Sequence, residues 1–414
     1  MKAGGRNLKE FFSPKCVAVI GASSNVEKVG GILMKKNLNF SGKIVPINPN
    51  YSEIFGRKCY KTILEVPDLV DLVVIAVPKE FVKEVFNQCA KKGIKNVILV
   101  SAGFAEAGDL KAQDELMKVA SKNNINLLGP NCFGLFNSNL NLDLTFSAKT
   151  PQKSDTVFIS QSGALWSYLA DLEIGFYGFV SLGNMADLSF EDFIKLFEND
   201  KEIKNILLYV EKLKDGKAFI EACKKSSKKI IVVKAGKSFE GVRATISHTA
   251  SLASDFEIYK AAFEKAGIKM ADSVVSALKK FNLPNFNKVF ILTNAGGAGA
   301  LLTDYLKEKG IELASISGFK NPWDILGTAK AENYQDSFKK IAKDSSCVVA
   351  LITPQSMADI EKIAEVIVEY SKLRPVIACM LGKGSFRKAE EIFKKEKVAY
   401  SFDLKEVADI LAIK

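Results

Sequence analysis

Short apolar runs alternate with longer amphipathic stretches along most of the chain, and this alternation limits the possible folds more than any other feature. Four runs in the first third have the composition of parallel strands buried on both faces: CVAVIG (16–21), KIVPIN (43–48), DLVVIAV (71–77) and NVILVSAG (96–103). Helical patterns lie between such runs, for example at 80–93 and 109–124. The sequence therefore predicts an α/β fold assembled from βαβ units.

The alternation predicts three α/β domains, at about residues 1–135, 150–283 and 284–414. The first has the strand and helix order of a dinucleotide-binding domain. The second and third each open with a strand, a turn of small residues and a helix. The less regular stretches 136–155 and 281–287 contain several Asn residues and a Pro, so we expect them to connect the domains.

The composition is that of a globular protein. Hydrophobic residues make up 48% of the chain, but no apolar run reaches the roughly 20 residues that span a bilayer. The N-terminal segment lacks the apolar region of a secretion signal. The seven cysteines include no CxxC pair, which argues against a disulfide framework and against a zinc site. We expect a cytoplasmic protein that has no membrane contact and no metal site of its own.

The net charge bears on the possible partners. It is +11, from 58 Lys and Arg against 47 Asp and Glu. A basic balance suits nucleic acids, but it also suits small polyanionic ligands. The lysines are concentrated in helical stretches such as 86–96 and 219–230, which is typical of solvated helix faces. We therefore expect no nucleic-acid partner.

The first glycine-containing turn, VAVIGASSNVEKVGG (17–31), follows a predicted strand as phosphate-binding turns do. A dinucleotide fingerprint needs GxGxxG and an acidic residue at the end of the second strand. Here eight residues separate Gly21 from Gly30, and Asn48 stands in place of the acid. These departures disfavour an NAD-linked oxidoreductase. They leave a phosphate-binding turn or a turn that serves packing alone.

A second segment, AGKS (235–238), is similar to the phosphate loop of nucleotide triphosphatases. That loop requires GxxxxGK[ST], and Ile231 occupies the position of its first glycine. The sequence therefore predicts no P-loop. A nucleoside triphosphate would bind elsewhere or on another polypeptide.

His248 is the single histidine of the chain and lies within GVRATISHTASLASD (241–255). Composition alone favours an ordinary structural histidine. The Ser, Thr and Ala residues around it instead indicate an uncrowded loop. Because imidazole is nucleophilic near neutral pH, His248 is also a candidate for a covalent carrier.

Eight motifs occur in one order along residues 16–270: AVIGASSNVEKVGG, KIVPINPNY, SAGFAE, GPNCFG, SQSGAL, YVE, KAGKS and SHTASLASD. On these motifs the chain resembles the α subunit of ADP-forming (NDP-forming) acyl-CoA synthetases, which are relatives of succinyl-CoA synthetase. TNAGGAGALLTD and NPWDILG extend the resemblance into the third domain. The resemblance implies a Rossmann-like CoA-binding domain followed by two flavodoxin-like doubly wound domains. It implies an acid–thiol ligase that interconverts acyl-CoA, ADP and phosphate with acid, ATP and CoA.

The resemblance also implies the reacting groups. His248 would carry the phosphoryl group between two sites, and Glu211 of the YVE motif would orient its imidazole. Ser162 and Gly163 of SQSGAL would hold the phosphate at the start of a predicted helix, where backbone N–H groups carry partial positive charge. Each assignment has an alternative. Glu211 could be an ordinary exposed acid, and the turn at 162–163 could bind no ligand.

For CoA, the resemblance implies contacts from the first glycine turn and from neighbouring strand ends. The implied residues are Gly21, Ala22, Ser23, Lys28, Asn48, Pro78, Ser101, Asn131 and Cys132. Asn131 and Cys132 would lie near the thiol end. We expect Cys132 to be a packing thiol, because the chain has no second histidine to activate it.

The nucleotide is expected on a partner. Members of the family bind it in an ATP-grasp module, and we find no such segment after the three predicted domains. We therefore expect an ATP-grasp β subunit, an α2β2 assembly, and ADP or ATP with Mg2+ on that subunit, while acyl-CoA and phosphate bind this chain. The resemblance makes acetate the default acid, and propionate, other short acids and aryl acids stay open. The use of GDP, the direction of the reaction and the role of the TNAGGAG turn stay open.

A non-catalytic CoA-binding or regulatory protein is the alternative function. Acyltransferases with a similar but inactive synthetase-like region also carry an acetyltransferase domain, which we do not find here. The intact His248 further disfavours this alternative.

Overall fold

The computed structural model describes residues 8–238, 240–241, 256–341 and 346–413. The chain divides into an N-terminal unit that ends at Ile268 and a C-terminal unit that begins at Lys269. Within the described residues, largely parallel strands with helical connections form two main sheets in the N-terminal unit and one in the C-terminal unit. The predicted α/β fold is confirmed.

The first sheet has five parallel strands, and a small hairpin follows its second strand. The strands of the sheet and the hairpin together are β1 (Cys16–Ile20), β2 (Lys43–Ile47), β3 (Glu53–Ile54), β4 (Arg57–Lys58), β5 (Leu72–Ile75), β6 (Asn96–Leu99) and β7 (Asn126–Leu128). The hairpin is β3-β4, and the sheet order is β2-β1-β5-β6-β7. The helices are α1 (Lys9–Phe12), α2 (Val29–Lys36), α3 (Lys79–Lys92) and α4 (Leu110–Asn123).

Local sequence explains where these helices begin and end. The carboxylate of Asp109 accepts a hydrogen bond from the backbone N of Ala112 at 3.0 Å, which caps the start of α4. α3 ends at Gly93, whose φ of +83° lies in the left-handed region that glycine adopts without steric cost. Strands β1, β5 and β6 are buried along their whole length, which explains their continuous apolar runs.

The second sheet also lies in the N-terminal unit. Its strands are β8 (Leu135–Asn137), β9 (Leu142–Asp143), β10 (Thr156–Ser160), β11 (Gly178–Ser181), β12 (Asn205–Val210) and β13 (Lys229–Lys234). Their order is β13-β12-β10-β11-β8-β9, with the first four parallel and β8 antiparallel to β11. The associated helices are α5 (Ala164–Asp171), α6 (Phe190–Glu198), α7 (Gly216–Lys225) and α8 (Phe256–Ala266).

The stretch 136–155, which we expected to be a connection, extends this second sheet. It holds most of β8 and all of β9. Phe136 of β8 is buried against Trp166, with ring centroids 5.4 Å apart, and Trp166 stacks on Phe179 of β11 at 4.4 Å. Aromatic packing of this kind stabilises the added strands, although they are only three and two residues long.

The C-terminal unit contains one main parallel sheet. The unit begins with the short strand β14 (Lys269–Ala271), which is not part of this sheet. The strands of the sheet are β15 (Val289–Thr293), β16 (Trp323–Asp324), β17 (Cys347–Ile352), β18 (Val376–Met380) and β19 (Ala399–Ser401). The sheet order is β16-β15-β17-β18-β19, which is the flavodoxin-like arrangement. The helices are α9 (Val274–Phe281), α10 (Gly296–Glu308), α11 (Ala331–Ile341), α12 (Ile360–Ser371), α13 (Arg387–Lys395) and α14 (Leu404–Ala412).

Candidate active site

Two topological switch points lie in the N-terminal unit. In the first sheet, β1 lies between β2 and β5, so successive connections leave it on opposite sides. In the second sheet, β10 lies in the same way between β11 and β12. Open parallel sheets bind ligands where the strand order reverses, outside the carboxyl ends of the strands. The residues that follow β1, β5, β10 and β12 are therefore the first candidates for a site.

A cavity of about 570 Å³ lies at these strand ends and is lined from both sheets. The residues after β5 and β6 contribute one wall, and the residues after β10 and β12 contribute the other. Six residues singled out from the sequence line it: Ser101, Asn131, Cys132, Ser162, Gly163 and Glu211. The fold thus brings residues expected at CoA, at phosphate and at the histidine to one cavity.

Gln161 joins the turn after β10 to the end of β12. It is buried, with 9% of its surface exposed. Its Oε1 accepts hydrogen bonds from the backbone N of Glu211 at 2.7 Å and from that of Lys212 at 2.9 Å. Ser160 and Tyr209 are register partners in the sheet, so the two strands end side by side. Glu211 is thereby held beside the turn that contains Ser162.

Lys234, at the end of β13, is a buried cation behind Glu211. Only 3% of its surface is exposed. Its Nζ donates hydrogen bonds to the backbone O of Glu211 at 2.8 Å and of Ala235 at 2.5 Å, and it lies 4.7 Å from the ring centroid of Tyr259. Burial lowers the pKa of Lys234 to about 8, and the charge of Glu211 opposes that effect.

Two hydrogen bonds between Ser160 and Ser162 stabilise the turn between β10 and α5. The backbone N of Ser162 donates to Ser160 Oγ at 3.1 Å, and that Oγ donates to the backbone O of Ser162 at 2.7 Å. Gly163 stands at the start of α5, where a Cβ would overlap the side chain of Phe133. Ser162, Gly163 and Ala164 all line the cavity. Backbone N–H groups at a helix start attract anions, so this turn suits a phosphate.

The turn after β1 is packed against its neighbours in the sheet. Gly21 has a φ of +89°, and a Cβ there would overlap the backbone O of Ala76. Ala22 is buried, and its backbone O accepts a 2.7 Å hydrogen bond from Asn48 Nδ2. An amide can donate this bond, whereas a carboxylate cannot. This contact explains why Asn48 stands where dinucleotide-binding domains have an acid.

The other residues expected at CoA lie around the same turn. Ser23 is buried, and its Oγ accepts a hydrogen bond from the backbone N of Asn25 at 3.0 Å. Hydrogen bonding from Ser23 lowers the pKa of Tyr51. Lys28 is exposed immediately before α2, and Pro78 is exposed immediately before α3. In the described chain, six of the residues expected at CoA are outside the cavity wall: Gly21, Ala22, Ser23, Lys28, Asn48 and Pro78. Their neighbours Val29, Ala76 and Val77 belong to the wall.

Ser101, Asn131 and Cys132 line the cavity, and hydrogen bonds hold them to the neighbouring strand ends. Ser101 Oγ donates to the backbone O of Val77 at 2.5 Å, and the backbone N of Asn131 donates to the backbone O of Ser101 at 3.0 Å. Burial raises the pKa of the Cys132 thiol to about 12. Because only the thiolate is a strong nucleophile, this environment suits a packing thiol.

His248 lies in the segment 242–255, outside the described residues. The described residues on either side of that segment approach each other, since Lys237 Nζ is 5.6 Å from the ring centroid of Phe256. Lys237 follows β13, whose end already contacts Glu211 through Lys234. The flanks of the segment therefore lie near the strand end that bears Glu211.

Neither a metal cluster nor a membrane-crossing helix is found in the described residues. No group of three or more His, Cys, Asp and Glu side chains there is placed to hold a metal ion. No helix in those ranges has both the length and the apolarity that crossing a bilayer requires.

Known proteins resemble this chain over nearly its whole length. Residues 15–138 match the family model of a CoA binding domain, and residues 153–282 match that of a succinyl-CoA ligase like flavodoxin domain. The α subunit of the ADP-forming acetate–CoA ligase II of Pyrococcus furiosus is 38% identical over 94% of this chain and 93% of that protein. The ADP-forming acetate–CoA ligase I of Archaeoglobus fulgidus is 36% identical over 96% of this chain and 62% of that protein.

A solved structure agrees with these relatives. The dinucleotide forming acetyl-coenzyme A synthetase 1 of Ca. Korarchaeum cryptofilum, in complex with phosphate and ADP, is 32% identical to this chain. The two superpose with a TM-score of 0.89, over 98% of this chain and 96% of that one. The chain belongs to the family of ADP-forming acyl-CoA synthetases. As a member of that family it is an acid–thiol ligase, so the predicted family and enzyme class are confirmed.

Sequence reasoning did not single out four residues of this synthetase that shape the site: Phe133, Phe146, Gln161 and Lys234. Gln161 lies inside the SQSGAL motif, next to the residues that were chosen. Lys234 ends an apolar strand, and a charged residue in such a place is a readable signal because buried lysines are rare. Phe146 lies in the stretch expected to be a connection, where no pattern pointed to the cavity.

Proposed function

We propose that this synthetase interconverts acetyl-CoA, phosphate and ADP with acetate, CoA and ATP, through an acyl phosphate and a phosphohistidine at His248. One observation carries the proposal: a single cavity joins Glu211, the turn at Ser162 and Gly163, and the residues expected near the thiol of CoA, Asn131 and Cys132. Acetate is favoured as the acid because relatives that cover most of the chain are acetate–CoA ligases.

The reaction has three steps. A phosphate oxygen attacks the thioester carbonyl carbon, the C–S bond breaks, and CoA leaves with a proton. An imidazole nitrogen of His248 then attacks the phosphorus of the acyl phosphate, and the P–O bond to the acyl oxygen breaks to free the carboxylate. Finally, a terminal oxygen of ADP attacks the same phosphorus, the P–N bond breaks, and ATP forms. Catalysis of this kind depends on positioning and on the neutralisation of phosphate charge.

The described residues have separate roles in this scheme. Ser162 and Gly163 hold the phosphoryl group by the hydroxyl of Ser162 and the backbone N–H of Gly163 at the start of α5. Glu211 accepts a hydrogen bond from one imidazole nitrogen of His248 and so fixes the tautomer that attacks through the other. The buried ammonium of Lys234 supports that role, because it lies against the backbone of Glu211.

CoA is assigned to the carboxyl end of the first sheet. Gly21, Ala22, Ser23 and Lys28 surround its phosphates, since the turn after β1 is free of bulky side chains and Lys28 supplies a cation. Asn48 and Pro78 flank the same cleft. Ser101, Asn131 and Cys132 lie along the thiol arm, where they line the cavity.

The nucleotide and its Mg2+ are assigned to a partner, an ATP-grasp β subunit, and the assembly to α2β2. The family resemblance supports this assignment, and the name of the Pyrococcus furiosus relative identifies that protein as one subunit of a larger enzyme. We assign the CoA-binding domain to residues 1–135 and the two flavodoxin-like domains to 150–283 and 284–414. A cytoplasmic location is part of the same proposal.

The function is tested by the formation of ATP from acetyl-CoA, phosphate and ADP. We expect ATP from the complex of this chain with its β subunit, and CoA binding without ATP from the chain alone. Robust ATP formation by the isolated chain contradicts the assignment of the nucleotide to a partner. If the complex forms no ATP from any acyl-CoA, the proposed function is wrong.

A binding measurement separates the alternatives. We expect CoA to raise the Tm of the isolated chain and NAD to leave it unchanged, because Asn48 and the glycine spacing do not suit a nicotinamide dinucleotide. CoA binding by a complex that never turns over would instead favour the regulatory alternative.

A further inference from the structure

Phe133 and Phe146 form an aromatic pair in the wall of the cavity. Their ring centroids are 3.8 Å apart and their planes are tilted by 39°. Both residues are only half-buried, and both line the cavity. Phe133 also lies directly on the phosphate turn, because a Cβ at Gly163 would overlap its side chain. Neither ring takes part in the three steps described above.

A buried polar network holds the backbone on both sides of Phe146. Thr145 and Ser147 are buried, with 0% and 3% of their surface exposed. Thr145 Oγ1 donates to Asp143 Oδ1 at 2.6 Å, and Lys36 Nζ forms an ion pair with Asp143 Oδ2 at 2.6 Å. Lys36 Nζ also donates to the backbone O of Ser147 at 3.0 Å. Because buried satisfied networks are rigid, the ring of Phe146 stands on a fixed support.

We infer that Phe133 and Phe146 form the wall against which the acyl group of the thioester lies, and that Phe146 limits the size of the acid accepted. The inference rests on the proposed function, since it requires the thioester in this cavity. Attack by phosphate needs the reacting atoms about 3–3.5 Å apart, so the acyl carbonyl lies beside the phosphate turn.

The position of the two rings then decides which acyl chains fit beyond the carbonyl. Phe133 contacts the turn, so it meets the first carbon of the acyl group. Phe146 packs on Phe133 from the side of β9 and occupies the space that a longer or branched chain would need. Apolar carbons bind favourably against aromatic rings, which suits a short acyl chain better than a charged or polar one.

The test uses Phe146→Ala and Phe146→Leu in the complex with the β subunit. We measure kcat/KM in the ATP-forming direction with acetyl-CoA, isobutyryl-CoA and phenylacetyl-CoA. One buried methylene changes such selectivity by roughly 10-fold or more, so we expect the isobutyryl to acetyl ratio to rise at least about tenfold in Phe146→Ala. Phe146→Leu is expected to give an intermediate ratio, and it keeps the test valid if the alanine variant folds poorly.

Phe402→Ala is the matched control. Phe402 is half-buried and pairs with Tyr400 at 5.9 Å in the C-terminal unit, so its loss removes comparable packing away from the cavity. We expect its selectivity ratio to equal that of the wild type.

The outcomes separate this inference from the proposed function. If the wild type forms ATP from none of the three thioesters, the proposed function fails. If the wild type is active and both Phe146 variants keep its selectivity ratio, the function stands and the inference is wrong. An equal loss of kcat/KM for all three thioesters, through a raised KM for each, assigns the ring to the thiol arm, which also overturns the inference.

Discussion

The side-chain oxygen of Gln161 accepts a 2.7 Å hydrogen bond from the backbone N–H of Glu211. This bond connects the turn after β10 to the residue after β12. The proposed phosphate site and the proposed orienting carboxylate are therefore held in a fixed relative position. A second bond from Lys212 to the same oxygen, at 2.9 Å, fixes the amide in place.

Gln161→Leu is therefore expected to slow the reaction more than it weakens CoA binding. It removes two hydrogen bonds that each contribute about 0.5–1.5 kcal/mol, and it leaves two N–H groups without their acceptor. We expect kcat to fall roughly 10- to 100-fold, while the Kd for CoA stays within about twofold. Gln161→Glu keeps an acceptor oxygen in the same position, so it should lose less activity. Steady-state rates of both variants check this, and equal losses would contradict it.

Glu211→Gln is expected to slow the phosphorylation of His248 by roughly 100-fold or more. The amide keeps the shape of the side chain but not the charge that orients and stabilises the imidazole. The measurement is the rate at which labelled phosphate enters the protein in the presence of acetyl-CoA. Glu221→Gln removes an exposed carboxylate of α7 that pairs with Lys225 and should react at the wild-type rate. Wild-type phosphorylation of the Glu211 variant would remove Glu211 from the mechanism.

The lowered pKa of the buried Lys234 predicts that the free energy of unfolding depends on pH. Its pKa in the folded chain, about 8, is below the ordinary 10.5 of an unfolded lysine. Between these values the unfolded chain binds more protons, so the contribution of Lys234 to the free energy of unfolding rises with pH across that window. Compared with Lys234→Met, we expect the wild type to gain on the order of 3 kcal/mol from pH 8 to pH 10.5.

Denaturant unfolding at several pH values measures this difference. Lys217→Met, at an exposed position on α7, is the control and should show no such gain over the same window. A constant difference between the wild type and Lys234→Met at all pH values would contradict the burial of a titrating ammonium group.

Gly21→Ala is expected to disrupt the CoA-binding turn. The substitution combines a φ of +89° with an overlap between the new Cβ and the backbone O of Ala76. Gly56 is a matched control, because its φ is +73° but nothing lies within 4 Å of a Cβ there. We expect Gly21→Ala to lower the free energy of unfolding by about 2–4 kcal/mol and Gly56→Ala by about 1 kcal/mol. CoA affinity should fall more than tenfold in Gly21→Ala but not in Gly56→Ala. Similar effects of the two substitutions would contradict the close approach of Gly21 to the backbone of Ala76.

The strands that the sequence predicted well are those buried on both faces. β1, β5 and β6 carry nearly continuous apolar runs, because each is buried along its whole length. The short strands β8, β9, β16 and β19 were missed for a physical reason. Each has only two or three residues, which is too few to show a period, and its pairing is decided by neighbouring strands.

The sequence predicted site residues where a motif requires a particular backbone conformation or close backbone packing. Gly21 and Gly163 stand where close contacts exclude a Cβ, and both lie in motifs quoted from the sequence. Phe146 could not be assigned, since its proximity to Phe133 depends on the antiparallel pairing of β8 with β9, two strands too short to show a period. The role of Asn48 was also invisible, because its hydrogen bond to Ala22 exists only once β1 and β2 are adjacent.

The central claim is that His248 carries phosphorus from the thioester cavity to the nucleotide. The most direct test is to incubate the complex with acetyl-CoA and labelled phosphate, then locate acid-labile phosphate by mass spectrometry, with His248→Asn in parallel. We predict label on His248 in the wild type, and neither label nor ATP formation in His248→Asn. ATP formation by His248→Asn at the wild-type rate would contradict the account.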